Sequence, residues 1–190
     1  MGYIVNFISG PSVGKSLISA LVYAELKLNG YTTEYVQEYA KQLVWLKKWD
    51  KLNNQYLVST KQYSLIKVLD DIPSIEYVVV DGALVLGLYY NRHYKTNVSN
   101  LGKTEDMILE RNSEFKNIYI HLERNPSVEF EQEGRVQTYL ESLDVDLELK
   151  RIMDNLKLPY KSWVSSKDSI PGIVEYIREM SEIGECRDVV

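Results

Sequence analysis

The chain has a single cysteine, Cys186, among 190 residues, so no internal disulfide can form and the expected setting is a reducing cytoplasm. Histidine occurs twice, and neither His93 nor His121 sits at a metal-ligand spacing. There is no excess of basic residues. Lys and Arg number 22 against 27 Asp and Glu, for a formal charge of −5, which argues against a protein that coats nucleic acid through bulk charge and leaves only a local basic cleft open. No apolar run is long enough to span a bilayer, since Tyr77–Tyr90 is interrupted by Asp81 and falls short of the roughly 20 residues required. Met1–Ile8 lacks a basic flank and runs straight into a glycine-containing turn, so it is a poor signal peptide. The expectation is a soluble cytoplasmic protein with no membrane partner. Phenylalanine is also scarce, at 3 against 15 tyrosines, so most aromatic surface carries a hydroxyl that needs water or a partner.

What remains is ordinary globular material, 45% hydrophobic and 26% charged, without repeats or a linker, and a chain of this length buries about 70% of its unfolded surface around one core. Tyr3–Ile8 is an apolar run broken only by Asn6, which reads as a buried parallel strand. A helix follows over Lys15–Leu28, stopped by Asn29-Gly30, and then a strand over Thr32–Val36. Tyr39–Leu69 has helical periodicity with a break near Asp50–Asn54. Tyr77–Val80 is the most apolar strand, Ala83–Tyr90 reads as a buried helix, and Arg92–Lys103 as a polar loop. Strands over Asn117–Leu122 and Tyr160–Val164, with helices over Tyr139–Leu156 and Ile170–Ile183, complete the alternation. Five strands alternating with helices predict an α/β fold with a five-stranded parallel sheet covered on both faces.

Between the first strand and first helix lies Ser9-Gly10-Pro11-Ser12-Val13-Gly14-Lys15-Ser16. Such a loop turns backbone N–H groups around phosphate oxygens at a helix N-terminus. The lysine neutralises β- and γ-phosphates, and the serine hydroxyl ligates Mg²⁺. Gly10, Pro11, Ser12, Val13, Gly14, Lys15 and Ser16 are therefore expected to bind the donor nucleotide, although Ser9 stands where the motif has glycine. Val78-Val79-Val80-Asp81 supplies an apolar strand ending in a carboxylate. Alone, Asp81 reads equally as a helix cap; beside Lys15 and Ser16 it is expected to hold Mg²⁺ together with Ser16.

Glu38 follows the second strand and can act either as general base or as the group that orients an acceptor hydroxyl. Arg124 and Arg135 lie in polar sequence after the fourth strand, where a lid can bring cations to a transferring phosphoryl group. Trp45, Gln62 and Tyr63 fall on the acceptor side, the aromatics suited to stacking and Gln62 to reading an edge. Arg92 is a further substrate-binding candidate, close to His93, Lys95 and Lys103.

These residues resemble small phage-type P-loop kinases, described as AAA family ATPases and related to nicotinamide riboside kinase-like and deoxynucleoside kinase-like proteins. The resemblance covers nearly the whole chain. Its carriers are Ser9–Ser16, Glu38-Tyr39-Ala40-Lys41, Val80-Asp81-Gly82-Ala83-Leu84 with Leu86-Gly87-Leu88-Tyr89, Leu122-Glu123-Arg124, and Glu133-Gly134-Arg135 with Gln137-Thr138. Ser9 and the Asp81-Gly82 pair are its departures. It implies a P-loop NTPase three-layer sandwich of the nucleoside/nucleotide kinase type, a single domain over 1–190 with an arginine-bearing lid at about 124–138. It also implies ATP and Mg²⁺ as donor system, with transfer to a hydroxyl or phosphate of a nucleoside-like acceptor. Two alternatives accompany it: a kinase of 5-hydroxymethyluracil in phage DNA, acting in the host cytoplasm on a flipped base, and a non-catalytic ATP-binding switch.

Overall fold

The computed structural model of the protein describes residues 2–131, 133 and 137–188. Strands β1 (Tyr3–Ile8), β2 (Thr33–Val36), β3 (Tyr77–Val80), β4 (Lys116–Glu123) and β5 (Tyr160–Val164) form one sheet in the order β2-β3-β1-β4-β5, each neighbouring pair parallel. Because side chains alternate across a strand, the apolar runs serve both faces. Tyr3, Val5 and Phe7 of β1, Tyr77 and Val79 of β3, and Ile118, Ile120 and Leu122 of β4 pack with Ile18, Val22 and Leu26 of α1 (Lys15–Leu28). Ile173, Val174 and Ile177 of α8 (Ile170–Asp188) complete that cluster. The intervening Ile4, Ile8, Val78, Val80 and Tyr119 join the clusters under α4 (Gln55–Asp70), α5 (Leu86–His93), α6 (Leu101–Ser113) and α7 (Tyr139–Asn155). The result is the expected three-layer α/β sandwich. Asn6, the one polar residue inside β1, is buried with its amide donating to Asn117 Oδ1 at 2.8 Å and to the Ile4 carbonyl at 3.0 Å.

Three local expectations are corrected. The helical stretch after Glu38 is three helices, α2 (Tyr39–Trp45), α3 (Trp49–Leu52) and α4. The chain turns first at Leu46–Lys48, where Lys47 takes a left-handed backbone at φ 53°, and again at Asn53-Asn54, where Asn54 caps α4 by accepting from the Leu57 N–H. The helix expected from Ala83 starts at Leu86, because Gly82–Val85 forms a buried turn leaving β3. The polar loop after Arg92 is cut short by α6, whose start is capped by Asn100 and which buries only Thr104, Ile108 and Asn112, one residue per turn. So narrow an inward stripe leaves an otherwise polar sequence with little periodic signal. Among the described residues no helix is long and apolar enough to cross a membrane.

Ile120 in the sheet centre is fully buried, whereas Leu28 at the end of α1 is 83% exposed. Ile120→Ala is expected to lower unfolding free energy by about 2–5 kcal/mol, and Leu28→Ala to change it by less than about 0.5, both read from urea midpoints.

Candidate active site

A parallel sheet brings all its strand ends with their following loops to one edge, and the order β2-β3-β1 sets the loops carrying Glu38, Asp81 and Lys15 side by side. The Asp81 N–H extends the β2–β3 ladder by donating to the Val36 carbonyl at 3.0 Å. Gly82 has a steric reason: a Cβ there would stand 2.8 Å from Cγ and 2.9 Å from Cβ of Glu38. The Asp-Gly pair therefore lets Glu38 lie against the end of β3.

The side chains form one hydrogen-bonded cluster. Lys15 Nζ donates to Glu38 Oε2 at 2.9 Å and to Asp81 Oδ1 at 3.3 Å. Ser16 Oγ donates to Asp81 Oδ2 at 2.6 Å and accepts from Lys41 Nζ at 3.0 Å. Burial alone would push the Lys15 ammonium down, but Asp81 and Glu38 outweigh it and hold its pKa above the ordinary lysine value. Lys15 is thus charged at every physiological pH.

The start of the loop is braced from behind. Asp146 of α7 accepts the Gly10 N–H at 2.8 Å and the Arg124 Nε–H at 2.5 Å, while Arg124 Nη2 donates to the Pro11 carbonyl at 2.9 Å and the Ser142 carbonyl at 3.2 Å. A side chain at position 10 would collide with the Asp146 carboxylate and come within 3.0 Å of the Ser142 carbonyl. The close approach that demands glycine thus falls at Gly10, one residue after Ser9. Burial pushes the Asp146 carboxyl up, against the opposing pull of Arg124 and the Gly10 N–H.

In front of the cluster opens a cavity of about 430 Å³, within the range of small-molecule sites. Gly10, Pro11, Ser12, Gly14, Lys15 and Ser16 border it at one end, with Val128, Glu129, Glu131 and Gln137 of the segment after β4. The other end runs between α2, α4 and α5, past Val44, Leu52, Val58, Leu86, Tyr90 and Tyr94, with Gln55, Ser59 and Gln62 as polar lining.

The remaining expected site residues divide. Val13 is buried in the core beneath the loop. Gln62 lines the cavity, but its amide already braces the chain around Glu38, accepting from the Tyr39 N–H at 2.8 Å and donating to the Gln37 carbonyl at 3.4 Å. Three residues are not brought to the cavity. Trp45 closes α2 at 57% exposure, and Tyr63 lies against Phe115 with its hydroxyl donating to Glu114 at 2.6 Å. Arg92 is held in a bidentate ion pair with Glu105 at 2.7 and 2.8 Å. Trp45 and Tyr63 were expected there from the helical stretch after Glu38, and Arg92 from the polar sequence that begins with it, but each side chain faces elsewhere. Arg135 lies outside the described residues. Lys41, Asp146, Gln55, Ser59, Tyr90 and Tyr94 joined the site without having been assigned to it. Lys41 had a legible signal, one helical turn after Glu38, whereas Asp146 is one acid among several on a polar helix.

For a metal, Ser16 and Asp81 offer two adjacent hard oxygens, and among the described residues no group of three or more His, Cys, Asp or Glu side chains could hold an ion. That donor set fits Mg²⁺, which binds through one or two protein oxygens and keeps water or phosphate for the rest.

No protein-family model matches the chain, and no curated protein matches it. Solved structures do. The NadR protein in complex with NAD and AMP-PNP superposes with a TM-score of 0.68 at 13% identity over 95% of this chain and 50% of that one, so the chain spans half the NadR length. Deoxyadenosine kinase from M. mycoides, with the products dCMP and a flexible dCDP bound, gives 0.56 at 15% identity over 97% of this chain and all of the other. At these identities the likeness is one of fold: the chain has the P-loop NTPase fold of these two structures.

Arg124→Ala is expected to lower stability by about 1–3 kcal/mol, since it leaves a partly buried carboxylate beside the loop without its cation. For a chain of this size that is a fall in Tm of about 2–4 °C per kcal/mol in a thermal melt, with Arg124→Lys recovering only part because it lacks the planar fork.

Proposed function

We propose that the protein is a Mg-ATP-dependent phosphotransferase, a single kinase domain that moves the γ-phosphate to a hydroxyl of a neutral, nucleoside-sized acceptor. The observation that carries this reading is the continuity of the Lys15–Glu38–Asp81–Ser16 cluster with one apolar cavity. Lys15 and the loop amides hold the donor phosphates at the polar end. Ser16 and Asp81 would hold Mg²⁺, which when bound offsets charge on the β- and γ-phosphates. As Lys15 turns to phosphate oxygens, the Glu38 carboxylate is released to orient the acceptor hydroxyl and take its proton. The segment 124–138 serves as the lid that excludes water.

The acceptor end favours a neutral compound. Its lining is aliphatic and aromatic with amide and hydroxyl groups, and among the described lining residues the only cations are Lys15 and Lys41, both at the phosphate end. An acceptor carrying its own phosphate, or a DNA strand, needs further cations. Arg92 is committed to Glu105, and Glu141 and Asp144 line the neighbouring surface pocket beside His93 and Lys95. These features weigh against the hydroxymethyluracil DNA reading. The end of the cavity that runs between α2, α4 and α5, beyond the cluster, has no use in a pure ATP switch. The low cysteine count fits a cytoplasmic setting, the host's for a phage-borne gene.

γ-Labelled ATP incubated with separate pools of nucleosides, nucleotides, ordinary DNA and hydroxymethylated DNA is expected to label the nucleoside pool. Label appearing only in DNA, or in no pool, would refute this assignment. In the same assay Glu38→Gln is expected to lower kcat about 10²–10⁴-fold at unchanged ATP affinity.

A further inference from the structure

Lys41 lies in the first turn of α2, and its ammonium reaches across to the phosphate-binding loop, where Nζ is 3.0 Å from Ser16 Oγ. Three features set it apart from a lysine serving the fold. Among the described residues it forms no ion pair, whereas Lys15 beside it engages both Glu38 and Asp81. Both carboxylates contact Lys15 directly, so Lys41 is the cation of the cluster held by a neutral hydroxyl and not by a carboxylate. Its place in the first turn of a helix also sets a cation where the helix dipole disfavours it. Finally, its partner is the same hydroxyl that donates to Asp81.

A charge held in this way is matched by an anion arriving from the cavity. A donor with three phosphates brings one more charged group than a diphosphate, at the end nearest Glu38 and the acceptor. The flexible four-carbon stem of lysine lets the ammonium leave Ser16 without moving the helix. We propose that Lys41 is a catalytic residue that binds the phosphoryl group being transferred, taking a γ-phosphate oxygen when the donor is present and holding Ser16 when it is not. The inference rests on the phosphotransferase reading of this same site.

In the transfer, the acceptor oxygen forms a bond to the γ-phosphorus as the bond from that phosphorus to the bridging oxygen of ADP breaks. The electron pair of that bond leaves with ADP, the acceptor proton passes to Glu38, and Lys41 stays protonated throughout. Its ammonium lies over oxygens whose charge is redistributed during the step, where a fixed cation contributes most. Because Lys41 belongs to a helix packed against α3 and α4 rather than to the segment after β4, this cation is in place without any movement of that segment.

Calorimetric titration with ADP and with AMP-PNP, both with Mg²⁺, separates a γ-phosphate ligand from a structural lysine. Lys41→Met is expected to weaken AMP-PNP binding at least tenfold, about 1.4 kcal/mol, while ADP affinity stays within about twofold. Lys41→Gln, which keeps a donor for Ser16 without the charge, is expected to behave like Lys41→Met and provides the same comparison if the methionine variant does not fold. Lys41→Arg is expected to restore most of the selectivity. Equal weakening of both nucleotides, or no change in either, overturns the proposal. Failure of the wild-type protein to bind either nucleotide is a different result, which overturns the phosphotransferase reading and this inference with it.

Discussion

A lysine ammonium held between two carboxylates organises this protein. The Lys15 and Asp81 side chains are largely buried, and isolated charges there would cost several kcal/mol each in lost hydration. Their mutual attraction offsets that cost only if the ends of β1, β2 and β3 stay in register, which the parallel pairing of Asn6 and Val36 with Val80 secures. The ion cluster and the sheet order are therefore one constraint. The cluster accounts for the glycine after Asp81, for the use of Gln62 as a brace around Glu38, and for the position of Lys41. In the proposed reaction a polyphosphate would replace the carboxylates around Lys15.

Behind the loop a second pairing does complementary work. Arg124 and Asp146 tie the loop's first residues to α7, so the backbone that would cradle phosphates is fixed by groups that need not touch them. The sequence expectation was that Arg124 acts on the transferred charge; the fold gives it this bracing contact. An arginine in a polar loop after a strand reads as a free cation, and only the fold shows that the acid meeting it comes from a helix more than twenty residues further along.

How much could be read in advance depended on locality. β1, α1, β3 and β5 were legible to the residue because each is a continuous apolar or periodic run with a defined stop. The Ser9–Ser16 loop was legible because its spacing encodes backbone geometry, and the places of Glu38 and Asp81 because a strand end is a position along the chain. What escaped depends on rotation and on distant partners. α6 buries a single residue per turn and so looks like a loop. Trp45 and Tyr63 share a stretch of sequence with the acceptor side and Arg92 opens a polar one, yet each faces elsewhere once the helices turn. Gln55, Ser59, Tyr90 and Tyr94 reach the cavity only because α4 and α5 pack together, with Gly87 leaving room where a Cβ would stand 2.6 Å from Ser59 Oγ.

The most direct test is the equilibrium binding of ATP with Mg²⁺ to the wild-type protein and to Lys15→Met. If the buried ammonium exchanges its carboxylates for phosphates, the wild type binds and the variant loses about a hundredfold in affinity, the magnitude of a lost charged hydrogen bond of about 2–3 kcal/mol. Equal affinity in the two proteins, or no binding by either, would contradict it.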